Sequence, residues 1–229
     1  MNHTKRISLI KSLIKRPESH NIKLQELKYE ASQISQRQDW LWHLLLSSMS
    51  TMDNSRGYDG LINNPDNYSL VSYQTLQNLT PENRLINLQQ ALRYATVRRY
   101  RFKSEWLYKN FKFIESCGSL ATIQKFILQT SGRESKLRLM KLFYGIGDKY
   151  ARNIFMDLYH EDFINSVAID GRLLDVSNEL EIDSQKISYL EHEELFVAIA
   201  SESNLTPWSM DRLLYNFNKY YINAMNNDA

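Results

Sequence analysis

Two side chains in this 229-residue sequence stand where an amine and a carboxylate could act together. Lys149 lies in the run Gly145-Ile-Gly147-Asp-Lys149-Tyr-Ala151, where one helix should end at a Gly-x-Gly turn and the next begin at once. Such a turn presents free backbone N–H groups and the positive end of a helix dipole, which suits a phosphate. The glycines permit close approach of a nucleic-acid strand, and Ile146 can plug the two helices together. A tight turn needs glycine in any case, so the motif alone fits a plain structural turn equally well. Asp170 follows 21 residues after Lys149, in Ala168-Ile169-Asp170-Gly171-Arg172, and alone it reads as a helix N-cap. The pair says more. An amine in a first helical turn sits in a positive field, and an aspartate can orient it or stabilise a developing cation. These are the needs of an amine nucleophile attacking a sugar C1′.

The elements that position this pair should be helices. The chain has only 7 Gly and 4 Pro, and no alternating strand pattern persists anywhere. Apolar residues at helical spacing (Leu9, Ile10, Leu13, Ile14, then Leu24, Leu27 and Ile34) predict one or two amphipathic helices on either side of Pro17. Residues 40–49 are apolar on most sides and predict a buried helix. Residues 53–67, with Gly57, Gly60 and Pro65 among Asn and Asp, read as a loop. Thr80 before Pro81 opens a helix to about Thr96, and further helices are expected over residues 102–116, 119–128 and 134–143. Asp170 opens another after a loop at residues 160–166.

The formal charge of +2 hides a polarity along the chain. Residues 84–152 hold 15 Lys and Arg against 4 Asp and Glu, whereas residues 153–202 hold 2 against 12. The basic segment suits a polyanion, and its densest cluster is Arg98, Arg99, Arg101 and Lys103, interleaved with Tyr100 and Phe102; the plain alternative is a solvated helix face. The single cysteine, Cys117, excludes an internal disulfide, a cysteine zinc site and a four-cysteine iron–sulfur cluster. His3, His20, His43, His160 and His192 show no ligand spacing, so neither a metal nor another cofactor is expected. No signal peptide and no apolar run long enough to span a membrane occur, which points to a cytoplasmic protein, associated with the nucleoid if the source is prokaryotic.

The hairpin Gly145-Ile-Gly147-Asp-Lys149-Tyr-Ala151 followed by Ile169-Asp170-Gly171-Arg172 resembles the helix-hairpin-helix-GPD superfamily of DNA glycosylases, whose Gly-x-Gly-x-Lys-x-Ala hairpin precedes a Val/Leu-Asp. Leu44-Leu-Leu-Ser-Ser-Met49-Ser-Thr is similar to that family's helix ending in a DNA-probing residue, Arg99-Tyr-Arg-Phe-Lys103-Ser104 to its Tyr-x-x-Lys-Ala segment, and Pro207-Trp208-Ser-Met-Asp211-Arg-Leu-Leu to its C-terminal helix. The resemblance covers about residues 40–218. It implies an all-α fold of two helical lobes with a DNA-binding cleft between them: one lobe of residues 50–155 carrying the hairpin, the other of residues 1–49 plus 160–229, within a single unit spanning residues 1–229.

It also implies roles. Lys149 would form a Schiff base and Asp170 would assist it, while Gly145, Ile146 and Gly147 with Arg98, Arg99, Arg101 and Lys103 would contact DNA and Met49 would probe the stack. Asn153 and Asp157, on the helix face of Lys149, would line a pocket for an extruded base, with Trp208, Trp106 or Trp42 available to stack on it; for each of these a solvated face or a core position is the alternative. The lone cysteine narrows the comparison to branches without an iron–sulfur cluster, such as the 8-oxoguanine and alkyl-base glycosylases. Tyr144 and Tyr150 stand where the family usually has Pro and Thr. The expected partner is duplex DNA holding a damaged base, most simply an oxidised purine such as 8-oxoguanine, or an abasic site, bound by a monomer. A monofunctional glycosylase and a non-enzymatic DNA-binding protein that uses the hairpin only to grip phosphates remain the alternatives.

Overall fold

The scarcity of glycine and proline is realised as helix. The computed structural model describes residues 1–53 and 56–227, and among these it holds fifteen α-helices and no strand. In chain order they are α1 (His3–Ile14), α2 (Glu18–Ser35), α3 (Trp40–Thr51), α4 (Arg56–Leu61), α5 (Pro65–Val71), α6 (Tyr73–Gln77), α7 (Pro81–Tyr94), α8 (Tyr100–Ser116), α9 (Leu120–Gln129), α10 (Arg133–Met140), α11 (Asp148–Asp157), α12 (Gly171–Glu179), α13 (Tyr189–Glu202), α14 (Pro207–Asn216) and α15 (Asn218–Asn227). Many start where the sequence places a cap. The Thr80 hydroxyl accepts from the Asn83 N–H, the Ser119 hydroxyl from Thr122 and the Thr206 hydroxyl from Ser209, satisfying N–H groups that a helix start leaves unbonded. Ser188 and Glu191 close a reciprocal capping box on α13.

The chain divides into two compact units, Gln36–Ile154 and Met1–Ser35 with Phe155–Ala229. The first, which carries the hairpin, has α3 in its core: Trp42 is fully buried, meets Tyr73 and Phe111 edge-on at 5.9 and 5.7 Å between ring centres, and donates its indole N–H to the Val71 carbonyl. Those contacts place residues 36–49 with the hairpin and not, as the sequence suggested, with the N- and C-terminal segments. The basic segment falls wholly inside this unit. In the second unit α1 packs on α15, and α12 on α14 and α15. His20 stacks on Phe217 at 3.6 Å between ring centres and hydrogen-bonds the Tyr221 hydroxyl through Nδ1.

The expected loop at residues 53–67 is the one clear error in element type. Asn54 and Ser55 lie outside the described residues, but α4 and α5 occupy most of the rest. Gly57 and Gly60 are not turn residues. They let α4 press against α3 and the end of α7, where a Cβ would lie 2.5 Å from the Ser50 and Ala95 carbonyl oxygens respectively. Pro65 opens α5 behind the cap Asn64, whose side chain accepts from the Asn67 N–H.

Candidate DNA interface and catalytic residues

The hairpin turn joins α10 to α11 and is held from outside by buried side chains. Asn110, fully buried on α8, accepts from the Tyr144 N–H through Oδ1 at 2.7 Å and donates from Nδ2 to the Tyr144 carbonyl at 3.1 Å. The next residue, Gly145, has φ +80°, and a Cβ there would lie 2.6 Å from Met49 Cε and 2.7 Å from Trp106 Cε3. Backbone conformation and space therefore both demand glycine. Ile146 is buried and donates its N–H to the Phe143 carbonyl. At Gly147 the φ is ordinary and a Cβ would meet no described atom within 4 Å, so nothing among the described residues excludes a side chain there.

At the start of α11, Asp148 pairs with Lys141 and, at 3.3 Å, with the buried Arg152. The hydrogen bond from the Lys141 ammonium holds the Asp148 carboxyl below the usual carboxylate range. Lys149 follows, half-buried, with Nζ 4.6 Å from the centre of the Tyr150 ring. Tyr150 thus lies against the amine.

The basic cluster splits in two. Arg98, Arg99 and Arg101 are exposed, and Arg101 lies over the Tyr100 ring. Lys103 is buried: its Nζ donates to the Met52 carbonyl at 2.5 Å and lies 3.5 Å from Asp53, and burial lowers its pKa. It ties the chain beyond α3 to α8 and is not presented for a phosphate, contrary to the expectation from sequence. Met49 is likewise fully buried, packed against Gly145, and is not a projecting wedge. Arg99, Phe102 and Trp106, with Met52, Asp53 and Lys103, line a recess of about 330 Å³.

Asp170 caps α12. Its Oδ1 accepts from the N–H groups of Arg172 at 3.0 Å and Leu173 at 3.1 Å. The helix N-cap expected at this residue is therefore formed, and it leaves a half-buried carboxylate fixed at a helix start. The three peptide N–H groups before it are each held by a side chain: Val167 by Glu193 Oε1 at 3.1 Å, Ala168 by Asp211 Oδ1 at 2.9 Å and Ile169 by the Tyr189 hydroxyl at 2.8 Å. None of Glu193, Asp211, Tyr189 or Asn110 was singled out for this work from sequence. Asp211 does stand in the segment that resembles the family's C-terminal helix, but no spacing links it to residue 168.

Of the expected pocket residues, Asn153 is half-buried on α11. Asp157 forms an ion pair with Arg212 at 2.8 Å, and Arg212 also reaches Asp211 Oδ2 at 3.2 Å. Trp208 is buried and donates its indole N–H to the Met156 carbonyl, with Tyr159 edge-on at 4.8 Å between ring centres. Trp208 and Trp42 are core residues and not stacking platforms. Among the described residues no group of three or more His, Cys, Asp or Glu could hold a metal, and no helix is long and apolar enough to cross a membrane.

No family model matches the sequence, and no curated protein does. Solved structures match almost end to end. The 8-oxoguanine DNA glycosylase of Thermotoga maritima aligns with a TM-score of 0.71 at 17% identity, over 93% of this chain and 96% of that one. That of Methanocaldococcus jannaschii aligns at 0.70 and 18% identity, over 92% and 94%. The 8-oxoguanine glycosylase/lyase of the same archaeon in complex with 15mer DNA containing 8-oxoguanine aligns at 0.67 and 17% identity, over 93% and 97%. Over nearly its whole length, this chain has the fold of the 8-oxoguanine DNA glycosylases.

Proposed function

We propose that the protein is a DNA base-excision glycosylase of the helix-hairpin-helix-GPD superfamily, from a branch without an iron–sulfur cluster, with an associated abasic-site lyase activity and an oxidised purine such as 8-oxoguanine as substrate. The observation that carries this reading is a Gly-x-Gly hairpin leading straight to Lys149 at a helix start, with Asp170 at another, in a chain of this fold. The hairpin N–H groups and Arg98, Arg99 and Arg101 hold the DNA backbone, and the damaged nucleotide is turned out of the stack.

The Lys149 amine attacks C1′ and the bond from C1′ to the base nitrogen breaks. The base leaves with the bonding electron pair and takes up a proton. Asp170 stabilises the positive charge that develops on the sugar. Ring opening then yields a protonated Schiff base between Lys149 Nζ and C1′. Loss of a proton from C2′ expels the 3′ phosphate by β-elimination, and water finally releases the lysine.

A panel of duplexes with oxidised, alkylated and deaminated bases, each with a borohydride arm, tests this. Base release with a trapped covalent adduct supports it. Base release without trapping, and strand breaks only after alkali, mark a monofunctional glycosylase. Binding with no released base and no strand cleavage on any lesion or abasic site leaves the hairpin as a phosphate grip alone. Lys149→Gln should abolish trapping. Asp170→Asn should slow base release by about 100-fold or more with DNA affinity little changed, since the loss falls on the transition state.

A further inference from the structure

The segment that delivers Asp170 is irregular backbone in the interior, and how it is held is unusual. Val167, Ala168 and Ile169 are all buried, yet no strand or helix partner takes their N–H groups. Buried N–H groups need acceptors, and here each of three in succession has its own side chain: Glu193 and Tyr189 from α13, and Asp211 from α14. Glu193 and Asp211 are themselves only 4% and 2% exposed. Two buried carboxylates are a costly way to satisfy backbone groups that a carbonyl or hydroxyl would serve. What they provide is rigid direction: each oxygen is fixed on a packed helix, and the three peptide planes they hold lead directly into Asp170.

We propose that Asp211, together with Tyr189 and Glu193, is a positioning residue that sets the direction of the Asp170 carboxylate. This rests on the reading of Asp170 as the residue that assists base release. Burial pushes the Asp211 carboxyl up to about 7, against the pull of Arg212 on its own helix and of the Ala168 N–H, with Asp170 and Asp157 adding to the rise. Near neutral pH its role therefore does not require a full charge. It requires an oxygen acceptor at that place. The carboxyl serves two donors, the Ala168 N–H at Oδ1 and the Arg212 guanidinium at Oδ2, so an amide with its one oxygen keeps at most one of them and a methyl group keeps neither.

The test is single-turnover base release and DNA affinity on the lesion duplex that the wild-type protein processes. Asp211→Ala should fall about 10- to 100-fold with affinity unchanged, as expected when a reacting group is misplaced by up to an ångström. Since Asp211→Ala empties a buried site, Tyr189→Phe serves as the second variant. It removes only a hydroxyl from a half-buried ring and should slow base release about 3- to 10-fold. Introduced into Asp170→Asn, Tyr189→Phe should have no further effect, because it acts only through Asp170.

Wild-type rates in folded Asp211→Ala or in Tyr189→Phe, with Asp170→Asn inactive, would overturn the positioning role and leave the reading of Asp170 intact. So would a Tyr189→Phe effect that persists in Asp170→Asn. An Asp170→Asn protein that releases base at the wild-type rate would instead overturn the reading of Asp170, and the positioning role with it.

Discussion

Exchanging the two hairpin glycines for alanine, one at a time, separates what the turn does for the fold from what it does for a DNA strand. Gly145 has φ +80°, a conformation that costs an alanine roughly 1–2 kcal/mol. Its new methyl group would also lie 2.6 Å from Met49 Cε and 2.7 Å from the Trp106 ring. Met49 is fully buried and the indole is rigid, so overpacking adds about 1–3 kcal/mol. Gly145→Ala should thus lose about 2–5 kcal/mol, a large share of the stability of an ordinary domain. Gly147 is the opposite case, with ordinary φ and no described atom within 4 Å of a Cβ. It precedes α11 and its carbonyl accepts from the Ala151 N–H at 2.9 Å, a cap position where alanine in place of glycine costs at most about 1 kcal/mol. If its bare backbone is there for a phosphate, Gly147→Ala should weaken DNA binding roughly tenfold, the loss of one charge-assisted hydrogen bond. Guanidinium unfolding and fluorescence anisotropy on an abasic-site duplex at fixed salt read the two effects separately. A Gly145→Ala protein of wild-type stability would refute the packing argument, and a Gly147→Ala protein that binds DNA like wild type would refute the phosphate grip.

Other consequences are as direct. His43 is buried on α3 with Nδ1 3.1 Å from the Tyr68 hydroxyl, and burial pushes its imidazole down to about 4. Its folded form binds fewer protons than the unfolded chain between that value and the ordinary 6.5, so its contribution is complete above pH 6.5 and lost as pH falls to about 4. This amounts to about 3 kcal/mol, and unfolding of His43→Gln should be less acid-sensitive by that much; parallel stability curves would contradict it. Lys103→Met should lower stability by about 1–3 kcal/mol while leaving the salt dependence of DNA binding unchanged, whereas Arg98→Gln or Arg101→Gln should each reduce the logarithmic salt slope by about 1; a reduced slope for Lys103→Met would restore it as a phosphate contact. Asn110→Ala should leave both polar groups of Tyr144 unsatisfied, cost about 1–3 kcal/mol and speed Tyr144 amide exchange; unchanged protection of that amide would show that the turn does not depend on α8.

Helices with strong caps were legible because the signal is local: Thr80 with Pro81, Ser119, and Asp170 each act within three residues of themselves. The hairpin was legible for the same reason, its glycines and Lys149 being contiguous in sequence. Where reading failed, the cause lay far off in the chain. Gly57 and Gly60 carry a loop signature, yet they are helical because α4 must approach the Ser50 and Ala95 carbonyls. Lys103 belongs by sequence to an arginine-rich run, but the helical period turns it inward toward Met52 and Asp53 while Arg101 and Phe102 face out. Met49 sits where a wedge would be expected and instead fills the space that Gly145 leaves. In each case residue type predicted a chemistry, and for Gly60, Lys103 and Met49 the partner that decides its use is 35 to 96 residues away, as for Gly60 with Ala95 and Met49 with Gly145.

Lys149 and Asp170 share a mode of support that follows from the fold class. In a described structure without strands, any residue delivered at a helix start arrives on backbone that no ladder can satisfy. The fold meets this with buried polar side chains on neighbouring helices: Asn110 for the turn before Lys149, and Glu193, Asp211 and Tyr189 for the segment before Asp170. Such side chains have a narrow tolerance. Shortening one removes the bond, and replacing it by an apolar group strands a buried N–H at a cost of about 1–3 kcal/mol. They therefore fix the approach of each helix start more tightly than a solvated loop would, and they do so from helices that are themselves packed in the core. It follows, on the proposed role of Asp170, that the direction of its carboxylate is set by α13 and α14 as much as by its own loop, and that substitutions of Glu193, Asp211 or Tyr189 should alter base release before they alter DNA binding.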